Sequence, residues 1–236
     1  MANNYFIFKQ FIIKQERAAF KVGTDGVLLG ASAHVSGVKR ILDIGSGTGL
    51  IAIMLAQRCN AEIVAIEPDR NSYLQAVQNV KHCRWRNRIK VENTDLQNYF
   101  TDQKKFDLIV TNPPYFNESL KNPDPLKSST RHNDALSSVE ILQGVTRLLE
   151  DDGHFQMIMP YAEGTVFIAE AINFGLFCNS LLKIRALPTA DVRRLIMTFI
   201  RERINASESF LTIEHGKRHE FTEEYINLTK DFYLRF

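Results

Sequence analysis

Apolar residues along the chain gather in short runs that alternate between two patterns from about residue 40 onward. Arg40 to Ile44, Ile63 to Ile66, Ile89 to Glu92, Phe106 to Thr111 and Gly153 to Met159 are apolar stretches of strand length. Between them, Leu50 to Arg58, Arg70 to Val80, Asn133 to Leu149 and Val166 to Asn173 carry helical spacing. Such alternation demands parallel strands joined by helical crossovers, an α/β fold. Two longer β-rich runs follow, Leu181 to Leu187 and Leu195 to Arg201, separated only by Pro188-Thr189-Ala190-Asp191. No helix fits there, so these runs should pair antiparallel. Thr222 to Tyr233 reads as a final helix, Asn205 to Ser209 as an ordinary loop, and Phe116 to Asn133 as a mobile Asn-, Ser-, Pro- and Lys-rich linker.

Composition narrows the picture only a little. The 236 residues suit one α/β domain, and 44% hydrophobic content suffices for a large core. A net charge of +2 does not by itself indicate a nucleic-acid partner, so one must be argued from local clusters. Cys59, Cys83 and Cys178 are scattered, with no CxxC or Cys/His spacing, so neither zinc nor a disulfide framework is expected. A reducing, cytoplasmic setting fits that usage. The charged N-terminus lacks a signal-peptide core, and no apolar run has bilayer-spanning length.

Candidate chemistry sits at the ends of the predicted strands. Asp43-Ile44-Gly45-Ser46-Gly47-Thr48-Gly49 joins a strand to a helix, where glycines allow positive φ and close ligand approach. A turn of this kind can present backbone N–H groups to an anion. Leu50 breaks the GxGxxG dinucleotide pattern, and the Asp43 carboxylate would repel a pyrophosphate, which favours a ligand with an amino-acid moiety. Glu67 closes the next strand, 24 positions after Asp43, where an acid can accept from ribose hydroxyls. Asp69 can cap the helix that follows. Asp95, past the third strand, can accept from an adenine amine or simply form a turn. Asn112-Pro113-Pro114-Tyr115 ends the fourth strand, because two prolines cannot extend a ladder. The Asn112 amide oxygen and the Pro113 carbonyl can both accept from one NH2 group while the Tyr115 ring stacks on its conjugated system; the plain alternative is a tight turn.

Together these motifs resemble the class I S-adenosylmethionine (SAM)-dependent methyltransferases over roughly residues 20 to 200. The Asn112 to Tyr115 segment resembles the motif used there to methylate amino groups of bases and glutamine side chains. A closer resemblance runs nearly end to end. Phe8 to Phe11, Lys21 to Gly30, Asp43 to Gly49, Asn112 to Phe116, Arg131-His132 and Leu228 to Tyr233 look like the tRNA1(Val) adenine-37 N6-methyltransferase family. Ser46 is one departure, at a position where Thr is expected as often.

That resemblance implies a Rossmann-like fold with a mostly parallel seven-stranded sheet, an antiparallel C-terminal hairpin and helices on both faces. It implies one methyltransferase domain over 1–236, with residues 1–35 closing over the cofactor and 204–236 as a C-terminal extension. SAM is the implied cofactor, held by Lys21, Thr24, Asp25, Asp43, Gly45, Gly47, Gly49, Glu67, Asp95 and Asn112. Asn112, Pro113 and Tyr115 are the implied catalytic set, with no metal. The implied partner is the tRNA anticodon loop, met by a monomeric enzyme. Phe116, Arg131, His132, Arg84, Arg86, Arg193 and Arg194 are candidate substrate contacts, the arginines because they lie in basic clusters at Lys81 to Arg88 and Lys183 to Arg203. From residues alone Asp25 can equally cap a helix, Trp85 can pack at a helix end, and the basic clusters can be solvated surface. Ribosomal RNA, a release-factor glutamine, or a silent SAM- or RNA-binding module are the rival readings.

Overall fold

The computed structural model describes residues 3–100, 105–114 and 136–236. Tyr115, Phe116, Arg131, His132 and all of the expected linker lie outside the described residues. The chain forms β1 (Tyr5–Ile7), β2 (Ile12–Lys14), α1 (Thr24–Ser32), β3 (Arg40–Ile44), α2 (Leu50–Arg58), β4 (Glu62–Ile66), α3 (Arg70–His82) and β5 (Ile89–Glu92). It continues through β6 (Phe106–Thr111), α4 (Ser138–Leu148), β7 (Leu149–Pro160), α5 (Tyr161–Ala171), β8 (Phe177–Arg185), β9 (Arg194–Ile200), β10 (Ser207–Thr212) and α6 (Glu223–Thr229).

The main sheet has eight strands in the order β10-β8-β9-β7-β6-β3-β4-β5. β7, β6, β3, β4 and β5 are mutually parallel, and β9 runs antiparallel between β7 and β8, as the two β-rich runs require. The eighth strand corrects the loop expected over Asn205 to Ser209: β10 begins there and pairs parallel with β8. Its first four residues are exposed and polar or edge-facing, so they carry no core pattern to read. Pairing to β8 defines this strand, helped by the Lys183–Glu208 ion pair at 2.6 Å.

Side-chain alternation divides the core in two. Ile41 points to the face covered by α1 and α2, whereas Leu42 and Ile44 point to the face covered by α4 and α5. α2 is apolar nearly all round because it is sandwiched between the sheet and α1, and Leu50 to Ala56 are all buried. α1 approaches α2 closely at Gly30, where a Cβ would stand 2.8 Å from the Met54 sulfur. Asp69 caps α3 as expected, its carboxylate accepting from the Ser72 amide at 2.8 Å.

The β1–β2 hairpin is not announced by the sequence pattern. It is tied to α3 through three polar side chains on one helical face, Ser72, Gln75 and Asn79, all buried. Asn79 donates to the carbonyls of Lys14 (2.8 Å) and Thr48 (2.9 Å) and accepts from the Lys14 amide at 2.9 Å. Gln75 and Ser72 accept from the amides of Arg17 and Ala19, both at 3.2 Å. Gln15, also buried, accepts from the Val22 amide at 2.8 Å. Residues 14–22 thus form a strap between α3 and the start of α1.

Candidate functional site

Strand order reverses between β3 and β6: from β3 the chain crosses to β4 on one side, while β6 lies on the other. In an open parallel sheet the crevice outside the strand ends at such a point is the natural ligand site. The register Ile44↔Ile66 and Ile44↔Thr111 brings the glycine loop, Glu67 and Asn112 to this one edge. A buried bond from the Thr111 hydroxyl to the Ile44 carbonyl, 3.0 Å, pins the two strand ends together.

Gly45, Gly47 and Gly49 all take positive φ (68°, 55° and 78°), which side chains adopt at a cost. A Cβ at Gly45 or Gly47 would meet nothing within 4 Å, so the loop borders open space. Four of the loop's amides, however, are engaged within the fold. Gly45 and Ser46 both donate to the Ile66 carbonyl at 3.0 Å, Gly49 donates to the Ser46 carbonyl at 2.8 Å, and Gly47 donates to a Glu67 carboxylate oxygen at 2.8 Å. This narrows the expectation of an N–H cradle for an anion: the donors of Gly45, Ser46, Gly47 and Gly49 are spent inside the fold.

The charge presented is negative instead. Asp43 is fully buried; one carboxylate oxygen accepts from the Ala52 amide at 3.1 Å and the other has no partner. Burial, helped by repulsion from Glu67, pushes its pKa up to about 7. The buried Ser46 hydroxyl is likewise unpartnered. Glu67 is 7% exposed; its second oxygen accepts from the Asp69 amide at 2.9 Å. Each of its oxygens keeps a lone pair for a hydroxyl, and burial raises its pKa as well. Orphaned acceptors, two acids and open space beside the glycines suit a cationic ligand with a diol. SAM carries a sulfonium, an ammonium and a ribose, so the residues fit the implied cofactor.

Asn112 is half-buried and Pro113 buried at the end of β6. The Asn112 amide nitrogen lies 3.8 Å from where a Gly26 Cβ would stand, so α1 walls the crevice on that side. Asp25, in the first turn of α1, pairs with Arg194 at 2.9 Å. It does not cap α1, whose N-cap is Gly23. Lys21 and Thr24 are exposed at the end of the strap. Asp95 makes the turn weighed for it, accepting from the backbone and side-chain amides of Asn98 at 2.7 and 2.9 Å.

The basic candidates separate. Arg193, exposed, and Arg194 stand at the start of antiparallel β9, on the same edge as Asn112. Arg84 and Arg86, both exposed, precede the start of β5 and therefore lie at the opposite edge. Trp85 between them packs edge-on against Phe11, ring centres 6.3 Å apart. Arg88 is structural: it donates to the carbonyls of Ala56 and Cys59 at 2.7 Å and of Ala61 at 3.1 Å. Among the described residues no group of three or more His, Cys, Asp or Glu side chains converges to hold a metal.

Asn79, Gln75, Ser72 and Gln15 were missed by sequence reasoning. The signal was available: polar residues at 72, 75 and 79 recur with helical period, marking a face that polar strap contacts can bury.

Comparison with known proteins agrees with this geometry. Residues 22–165 match the family model described as methyltransferase small domain. Among solved structures, a predicted O-methyltransferase from Agrobacterium tumefaciens superposes with a TM-score of 0.65 at 20% identity, covering 88% of this chain and 96% of that one. The glycopeptide N-methyltransferase MtfA complexed with SAM gives 0.57 at 12% identity, covering 78% and 90%. At such identities these establish the fold. Full-length relatives are nearer. A tRNA1(Val) (adenine(37)-N6)-methyltransferase of Trichodesmium erythraeum is 45% identical over 240 residues, and one of Bacteroides fragilis is 42% identical over 237, each covering 100% of both chains. With such identity spanning the whole chain, and the SAM-type crevice in place, this chain belongs to the tRNA1(Val) (adenine(37)-N6)-methyltransferase family.

Proposed function

We propose that this enzyme methylates the exocyclic N6 of adenosine 37 in the anticodon loop of tRNA1(Val), using SAM, and that it does so in the cytoplasm as a monomer. The observation that carries the reading is the meeting of Asn112 with the acidic glycine-loop crevice at the β3/β6 switch point, in a chain 45% identical to a relative of that name. Among the described residues no helix is long and apolar enough to cross a membrane.

Bound SAM would supply an electrophilic methyl group on a sulfonium. Asp43 balances positive charge through the ionised form of its buried carboxylate, and Glu67 accepts from the ribose hydroxyls. Asp95 accepts from the cofactor's adenine amine. Lys21, Thr24 and Asp25 belong to the 1–35 extension that closes over the cofactor; the strap's anchors on α3 support that role. The N6 lone pair is delocalised into the adenine ring, so the nitrogen is a weak nucleophile. Acceptors at Asn112 Oδ1 and the Pro113 carbonyl hold its two N–H bonds and gain strength as positive charge develops on nitrogen. The extra proton is acidic once the new bond forms and passes to solvent, so no strong base is needed. Tyr115, by its place in the motif, stacks on the extruded adenine.

The test is Asn112→Ala. SAM affinity should persist while single-turnover methylation of saturating tRNA falls about 100-fold or more. Rates near wild type would remove Asn112 from the chemistry.

A further inference from the structure

A second cleft lies on the same edge of the sheet, and apart from Thr24 none of its lining residues has a role in the chemistry above. Its volume is about 470 Å³. Phe6, Ile7, Phe221, Tyr225, Tyr233 and Phe236 supply most of its wall, and Thr24, the first residue of α1, borders it. The walls are a ring assembly: Phe221 stacks on Tyr225 at 5.1 Å and meets Phe236 edge-on at 5.1 Å, while Phe6 and Tyr233 approach to 6.1 Å. Lys9 holds the far rim by donating to the carbonyls of Lys230 and Phe236. Despite the packing behind it, the mouth is apolar and open: Ile7 is 42% and Leu234 59% exposed.

The loop over this mouth is basic. It leaves β10 at the edge shared with Asn112 and is closed by the bridge Glu214↔Phe221. His215, Lys217, Arg218 and His219 are all exposed on it, as is Arg235 nearby; Glu220 is the exposed acid of the loop itself, and Glu223 and Glu224 follow in the first turn of α6. Glu214, the acid lining the cleft, is occupied on one oxygen by the His219 amide at 2.8 Å. His219 holds φ 72°, the one positive φ at a non-glycine among the described residues. Aromatic walls beneath Lys217, Arg218 and Arg235 form the combination that takes an unstacked base with its phosphate. Thr24 and Gly26 are within one turn of α1, and Gly26 faces Asn112, so cleft and target site are neighbours.

We infer that this cleft receives the unstacked base of a nucleotide flanking the target adenosine, with the 215–219 loop on its phosphate. The inference rests on the proposed tRNA substrate. It makes the enzyme a reader of two loop bases, one methylated and one only bound.

The test uses anticodon stem-loop RNAs carrying an abasic residue on the 5′ or the 3′ side of the target. One of the two should bind wild-type enzyme about 5- to 150-fold more weakly, the range for one stacked base. Ile7→Glu and Leu234→Glu alter exposed rim residues and should fold normally. Each should weaken binding of the intact stem-loop by a similar factor, become indifferent to that abasic site, and keep SAM affinity. Lys217→Gln with Arg218→Gln should flatten the salt dependence while preserving the abasic effect. The inference is overturned if neither abasic RNA binds more weakly, or if the abasic penalty is undiminished in both rim variants. A shift from dimer to monomer in Ile7→Glu would overturn it in favour of a self-association surface. If wild type methylates neither tRNA nor stem-loop, the proposed function fails first and this inference with it. If methylation is normal and the rim variants match wild type, only the second base is lost.

Discussion

Asp43 is the residue whose surroundings say most. Its carboxyl is held at about 7 in the folded protein and at the ordinary value near 3.8 in the unfolded chain. The native state therefore binds the extra proton between those two values, and stability without ligand should fall as pH rises from about 4 to about 7, by up to ~4 kcal/mol. Glu67, shifted in the same direction, adds to the slope. A cationic ligand favours the ionised form, so SAM should bind more tightly as pH rises through 7 and release a proton below it. Asp43→Asn should flatten the stability profile in denaturant titrations and weaken SAM binding at pH 8. Calorimetry in buffers of different ionisation enthalpy would detect the proton; no proton release at pH 6.5 would contradict the assignment. Glu67→Ala should weaken SAM binding by about 1–3 kcal/mol. It also frees the Gly47 amide, so Glu67→Gln, which keeps an acceptor, should fall between the two. Unchanged affinity in a folded Glu67→Ala protein would exclude the ribose role.

At the scale of elements, two contacts decide how the crevice is walled. One is the close approach of α1 and α2 at Gly30. Alanine there would bring its Cβ to 2.8 Å from the Met54 sulfur and 3.1 Å from the Met54 Cβ. Gly30→Ala should cost about 1–3 kcal/mol by overpacking, despite the better helix propensity of alanine; a stabilised variant in urea titration would show that α1 yields instead. The other contact is Asn79, which joins the strap to both α3 and the glycine loop. Asn79→Ala should destabilise by about 1–3 kcal/mol and raise hydrogen exchange selectively in residues 5–22. Uniform exchange would mean that the hairpin is held elsewhere.

For the whole molecule, the question is which side faces RNA. The sequence offers basic clusters at Lys81 to Arg88 and Lys183 to Arg203, and the fold sends their members to opposite edges. Arg201 is bound to the carbonyls of Thr146 and Leu149, and Arg88 to those of Ala56, Cys59 and Ala61, so neither is available to phosphate. Arg193 shares the edge of Asn112. Arg193→Gln should lower the salt slope for an anticodon stem-loop by about one unit or less. Arg84→Gln with Arg86→Gln should leave that slope unchanged and act, if at all, on full-length tRNA. Equal effects of both sets on the stem-loop would mean that the RNA wraps the sheet from edge to edge.

The strand–helix alternation, the antiparallel turn at 188–191, the glycine loop and the acids at 43 and 67 were all legible in the chain. They are local: each depends on periodicity, on φ preferences or on spacing from a strand end. β10 and the β1–β2 hairpin were not legible, because an exposed edge strand and a short hairpin bury too little to imprint a pattern and exist only against partners distant in sequence. The same limit governed the site. Sequence placed Asp43, Glu67 and Asn112 at strand ends and proposed a role for each. Only the tertiary structure spent the amides of Gly45, Ser46 and Gly47 on Ile66 and Glu67, left Asp43 with an orphaned oxygen, and put Arg84 and Arg193 on opposite edges. Backbone donors, buried charge and surface arginines all take their meaning from what lies across from them, and that is set by packing between residues far apart in the chain.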